Sequence, residues 1–148
     1  GEASATAAAC APEVQLAARH LWTQISARLY IRCVRWSVEF SEEVLAWYIT
    51  LSPTGKAVTD RVVERLASQG HTLRMPHSRS LGDGLFELRF TCEGVNRRIT
   101  YVFDPNRTAV TLTTFRKQRQ NERGEIVRAR RAQAAQRAMS TVEKESES

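Results

Sequence analysis

The stretch Gly82-Asp83-Gly84-Leu85-Phe86-Glu87-Leu88-Arg89-Phe90-Thr91 decides the fold. Gly82-Asp83-Gly84 is turn chemistry, and Leu85, Glu87 and Arg89 then alternate with Phe86, Leu88 and Phe90. A period of two predicts a strand over 85–91 with one apolar face. Two later runs repeat the pattern. Ile99, Tyr101 and Phe103 alternate with Arg98, Thr100 and Val102, and Val110, Leu112 and Thr114 with Thr111, Thr113 and Phe115. Gly94 and the cluster Asp104-Pro105-Asn106 supply the turns between them. The middle of the chain therefore reads as an antiparallel meander over 85–91, 97–103 and 109–116.

Helical signals flank the meander. Toward the N-terminus, Ser41 followed by Glu42 and Glu43 is a helix start, a capping hydroxyl with acids against the positive end of the dipole. Val44, Leu45, Tyr48, Ile49 and Leu51 form its apolar face, and Ser52-Pro53-Thr54-Gly55 reads as the break. A second helix over 56–69 buries Val58, Val62 and Leu66 and stops at Gly70. The short connection predicts a helical hairpin. Residues 30–40 are strand-like, with Trp36, Val38 and Phe40 against Arg35, Ser37 and Glu39. Before them, Val14, Ala18, Leu21, Trp22, Ile25 and Leu29 fall at helical spacing over 13–29, and 1–12 read as a disordered tail. Toward the C-terminus, an Ala- and Arg-rich helix is expected over 123–139 and a disordered acidic tail over 140–148. The resulting class is α+β, with helices packed on a small antiparallel sheet.

Composition bounds the function. At 148 residues and 42% apolar, the chain is expected to form one domain with a real core, too small for a large cofactor domain beside a second catalytic domain. Lys+Arg 22 against Asp+Glu 16 gives a net charge of +6, which suits a polyanionic partner. No stretch approaches the ~20 consecutive apolar residues of a membrane span. Cys10, Cys33 and Cys92 are far apart and odd in number, which supports neither a disulfide framework nor a zinc site. The cysteine usage and the absence of a signal-like n-region predict a cytoplasmic protein. No motif calls for a cofactor.

The common catalytic templates fail in turn. Gly82-Asp83-Gly84 precedes a strand and lacks the strand–loop–helix setting of a phosphate loop. There is no Gly-x-Ser-x-Gly elbow. His20, His71 and His77 have no metal-ligand spacing, and Glu42 with Glu43 are explained by the helix start. The cations remain. Arg89 and Arg98 project from neighbouring strands, and Arg116, Lys117 and Arg119 end the last one. Converging at one edge of a sheet, such groups bind phosphates or stabilise a phosphorane. The competing reading is a solvated basic surface or a salt bridge, such as Arg89 with Glu87 two residues away on the same face. Strand parity places Tyr101 in the core.

The run from Met75 to Arg89, Met-Pro-His-Ser-Arg-Ser-Leu-Gly-Asp-Gly-Leu-Phe-Glu-Leu-Arg, resembles the phage-derived HigB-like toxins of the RelE/ParE superfamily. Arg98-Ile99-Thr100-Tyr101-Val102-Phe103 is similar to that family's arginine-plus-aromatic strand, and Thr114-Phe115-Arg116-Lys117 to its last strand. Trp36, Phe40 and the helix from Ser41 resemble its opening, and Glu125 to Ala129 the start of its final helix. Gln118 stands where the family has a second lysine, and Asn121 and Arg123 where it has a lysine and a proline. The resemblance implies a RelE-like fold over 34–139, preceded by an N-terminal extension, 1–33, with an extra helix.

It also implies a type II toxin that cleaves mRNA on the translating ribosome. The implied catalytic residues are Arg89, Arg98 and Lys117, with His77, Arg79, Arg116 and Arg119 as RNA contacts. The implied partners are the ribosome with its mRNA and a HigA-like helix-turn-helix antitoxin, through which alone operator DNA is bound. Two alternatives stay open: a non-enzymatic ParE-like inhibitor of DNA gyrase, and an inactive homologue that only binds antitoxin or nucleic acid. An unperturbed lysine titrates near ~10.4, so Lys117 serves as a base only if desolvation or neighbouring cations lower that value. His77 is the one histidine among the implied site residues.

Overall fold

The structure, a computed structural model, describes residues 35–147. In chain order these form β1 (Ser37–Glu39), α1 (Glu42–Tyr48), α2 (Pro53–Gln69), a 3-10 turn (Gly70–Thr72), β2 (Ser78–Gly82), β3 (Leu85–Cys92), β4 (Val95–Asp104), β5 (Thr108–Arg116) and α3 (Glu122–Glu147). The helix expected over 13–29, the tail over 1–12, His20, Cys10 and Cys33 lie outside the described residues.

The strands order as β1-β5-β4-β3-β2. The meander of β3, β4 and β5 forms as the alternation predicts, with Phe86 opposite Tyr101 and Val102 opposite Val110. Two strands enlarge it. Ser78–Gly82 pairs antiparallel with β3, although its serines and Arg79 carry no apolar alternation. Ser37–Glu39 pairs parallel with β5, Val38 opposite Ala109, so the sheet is mixed rather than antiparallel throughout. The strand expected over 30–40 contributes only those three residues within the described chain.

Local chemistry sets the helix ends. Ser41 Oγ accepts from the Val44 amide at 3.2 Å and donates to the Leu112 carbonyl at 2.9 Å. The same hydroxyl thus starts α1 and ties it to the otherwise open edge of β5. Glu43 Oε2 accepts from the Thr114 amide at 2.8 Å and Arg128 donates to the Thr114 carbonyl at 3.2 Å, so side chains occupy the groups that a sixth strand would take. The segment Ser52-Pro53-Thr54-Gly55, expected to break a helix, instead opens α2: Ser52 Oγ accepts from Gly55 N at 3.1 Å and Pro53 takes the first helical position. Tyr48 Oη donates to Asp60 at 2.7 Å between the two helices, but each packs chiefly on the sheet, α1 against β5 and α2 against β3 and β1.

The helices sit on opposite faces. Val44, Val62 and Leu66 pack with Leu88, Ile99, Tyr101 and Ala109, and Phe86, Phe90 and Phe103 close round them. On the other face Ala129 of α3 packs on Leu85, Val110 and Leu112. Helix α3 runs to Glu147, through the segment expected to be a disordered tail; Glu143, Lys144 and Glu145 are strong helix formers. Its Arg130, Gln133 and Arg137 donate to carbonyls of Leu81, Gly82 and Asp83, clamping the turn whose Gly82, Asp83 and Gly84 all have positive φ. Arg130 and Arg137 of this Arg-rich helix therefore hold the turn in place. No helix among the described residues is long and apolar enough to cross a membrane.

Candidate functional site

Residues opposite one another across a ladder share a face. The register sets Arg79 opposite Glu87, Glu87 opposite Thr100, and Arg89 opposite Arg98. Alternation along β3 then places Leu85, Glu87 and Arg89 on the face that α3 covers. Leu85 lies under Ala129, but α3 begins at Glu122, so its first turn borders the charged residues instead of burying them.

Glu87 is the hub. It is 2% exposed, and one carboxylate oxygen, Oε1, lies 3.7 Å from Arg79 Nε, 3.9 Å from Arg89 Nε and 3.7 Å from Arg98 Nε. Arg79 reaches across to Glu122 at 3.4 Å, and Glu122 accepts from Lys117 Nζ at 3.1 Å. The Lys117 amide donates to the Asn96 carbonyl at 2.8 Å, which holds it as a continuation of β5. The structure thus brings together Arg79, Arg89, Arg98 and Lys117 around two carboxylates, an excess of positive charge.

Access differs among them. The side chains of Arg79 and Lys117 are 39% and 38% exposed and that of Arg89 is 24%, while Arg98 keeps only 9%. Burial and the neighbouring Arg89 pull the Arg98 guanidinium below its ordinary value, with Glu87 acting the other way. The Lys117 hydrogen bond and the Arg79 charge hold the Glu122 carboxyl below the usual carboxylate range against some desolvation. Lys117 is exposed and shares the Glu122 carboxylate with Arg79.

The other expected contacts are spread out. His77 precedes β2; its carbonyl accepts from the Arg89 amide at 2.9 Å, and its Nδ1 lies 3.0 Å from Arg65 Nη1 on α2. An Nδ1 accepting from a guanidinium leaves the neutral ring's proton on Nε2. Arg116 is exposed and lies opposite Arg97, on the face away from the cluster, where Arg97 stacks 4.8 Å from the Trp47 ring. Arg119 is exposed in the connection to α3. Tyr101 is in the core on the far face, its hydroxyl 2.6 Å from Ser78 Oγ, and burial pushes it up to about 12. Among the described residues no group of three His, Cys, Asp or Glu is placed to hold a metal ion.

Sequence reasoning found Arg89, Arg98, Lys117 and Arg79 but gave Glu87 only the part of a salt-bridge partner. Parity gave no further signal, since Glu87 shares the more polar of the strand's two faces with Arg89. Glu122 carried no signal beyond its place at a helix start.

A small α+β protein with an arginine cluster on one half-covered sheet face is the class that fold and site define. The family model of phage-derived Gp49-like proteins (DUF891) matches residues 46–140, and the chain belongs to that family, which is related to the RelE-type toxins of toxin–antitoxin systems. All four clustered cations and Glu87 fall inside the match. Among curated proteins none matches the chain significantly.

Proposed function

We propose that this protein is the toxin of a type II toxin–antitoxin pair and acts as a ribosome-dependent mRNA endonuclease. The convergence of Arg79, Arg89, Arg98 and Lys117 on a half-open sheet face supports this reading. RNA carries its own nucleophile. The 2′-hydroxyl gives its proton to water as its oxygen attacks the adjacent phosphorus. The bond to the 5′-oxygen breaks and that oxygen takes a proton from water. The products end in a 2′,3′-cyclic phosphate and a 5′-hydroxyl. The protein has to align that attack and neutralise the growing charge.

Each residue has a part in this scheme. Arg79 and Arg89 reach solvent and take the non-bridging phosphate oxygens. Arg98, more enclosed, adds charge behind them. Lys117 meets the phosphate as a cation, and RNA displaces its bond to Glu122. Arg119, in the connection to α3, follows the strand beyond the cluster, while Arg116, on the opposite face, and the His77 ring, paired with Arg65 of α2, stand apart from it. Codon alignment comes from the ribosome, so a half-open sheet face is sufficient. A helix-turn-helix antitoxin would silence the toxin by covering the cationic face or by keeping it off the ribosome, and would carry it to operator DNA.

The test is an end-labelled mRNA incubated with purified protein, with and without programmed ribosomes. New ends appear only with ribosomes, and a 2′-deoxy nucleotide at the cut position abolishes them. Intact mRNA in both reactions refutes the proposal, and inhibition of gyrase supercoiling by the same preparation would establish the ParE-like alternative.

A further inference from the structure

Among the described residues Glu87 is the only carboxylate the fold buries, at 2% exposure. Burying a carboxylate is costly unless charges compensate it. Here three guanidiniums approach the same oxygen, each through its Nε, at 3.7, 3.9 and 3.7 Å. The three come from different strands: Arg79 from β2, Arg89 from β3 and Arg98 from β4. Each Nε turned toward Glu87 leaves the outer nitrogens of that guanidinium for other partners. Arg79 uses one on Glu122, 3.4 Å away, while Arg98 Nη1 donates to the Arg97 carbonyl at 3.1 Å and Arg89 Nη1 lies 3.1 Å from the Met75 sulfur. Without a negative centre the three cations would repel one another, and the exposed Arg79 and Arg89 would swing into solvent.

We propose that Glu87 is a positioning residue, its buried carboxylate holding Arg79, Arg89 and Arg98 around one oxygen so that their outer faces form a preorganised phosphate cradle. This rests on the nuclease reading for what the cradle serves, though the ordering of the arginines stands independently of it. A merely structural Glu87 would compensate Arg98, and its loss would lower thermal stability without loosening Arg89 or slowing turnover in the folded protein. A positioning role also acts on the transition state. Misplaced cations lower kcat more than they raise KM.

The experiment compares wild type with Glu87→Gln, which keeps the shape and removes the charge. Three quantities are read: the thermal midpoint, the ¹H–¹⁵N signals of the arginine Nε–H groups, and kcat and KM for mRNA cleavage on programmed ribosomes. In folded Glu87→Gln the Arg89 and Arg98 Nε–H signals broaden or exchange away, and kcat falls about 100-fold, the loss typical of one misplaced charge-stabilising group, with KM nearly unchanged. Wild-type kcat in the folded variant overturns the proposal, as do unchanged arginine signals. Should Glu87→Gln not fold, Glu87→Asp decides, since it keeps the charge but draws it back by one methylene: shifted Arg89 and Arg98 signals with reduced kcat support positioning, and wild-type values of both overturn it. If the wild type itself cuts no RNA, the nuclease reading fails and the arginine signals alone judge Glu87.

Discussion

The two faces of the sheet are made by the same strands and hold opposite contents. Under α1 and α2, Leu88, Ile99 and Tyr101 meet Val44 and Leu66, and the rings of Trp36, His71, Phe86 and Phe103 close together at 4.1–5.5 Å. Under α3 the apolar set is smaller, Leu85, Val110, Leu112 and Ala129, and gives way to Glu87 and Arg98. Strand β3 serves both, with Phe86, Leu88 and Phe90 on one side and Leu85, Glu87 and Arg89 on the other. One face carries the stability, so the other can hold like charges close together. The lesson is that the charged face stays half open because the covering helix begins beside the charges rather than over them.

That division of labour can be broken from either side. The largest effect is expected from the apolar face: Leu66→Ala, at a fully buried position, destabilises by about 2–5 kcal/mol in urea unfolding, with cleavage per folded molecule unchanged. On the charged face, Arg89→Ala and Lys117→Ala each lower cleavage about 100-fold and abolish growth arrest while antitoxin binding survives. Both residues are partly exposed, so the thermal midpoint of each variant should stay near wild type.

Smaller effects sharpen the contrast. Tyr101→Phe removes the 2.6 Å bond to buried Ser78 and should cost about 1 kcal/mol of stability without touching cleavage, because Tyr101 lies on the dry face. Glu122→Gln acts on the acid limb of stability. The Glu122 carboxyl is lowered from 4.5 in the folded protein, so its contribution is present above about pH 4.5 and is lost as pH falls through the lowered value. The variant should therefore lose less stability between neutral and acid pH than wild type in thermal unfolding.

Much of this was legible in the residues. The alternation over β3, β4 and β5, the Ser41 cap and the Gly70 stop are local signals, and each element formed where they point. What was not legible depends on partners distant in sequence. Ser78–Gly82 becomes a strand because β3 offers an edge, and Ser37–Glu39 pairs parallel with β5 because the chain returns past it. Ser52 was hidden by Pro53, which ends helices when interior and begins them at the first turn. In the site, the cations were readable from strand parity and from family likeness. The carboxylate that organises them was not, because a Glu two residues from an Arg looks the same in sequence whether it is solvated or buried.

The most direct test of the charged face is a paired measurement on wild type and Arg89→Ala: single-turnover cleavage of mRNA on programmed ribosomes beside the thermal midpoint of each protein. Cleavage about 100-fold slower at an unchanged midpoint, with wild-type products ending in a 2′,3′-cyclic phosphate, is the expected result. Equal cleavage rates in two equally folded proteins would contradict it and remove phosphate chemistry from this face of the sheet.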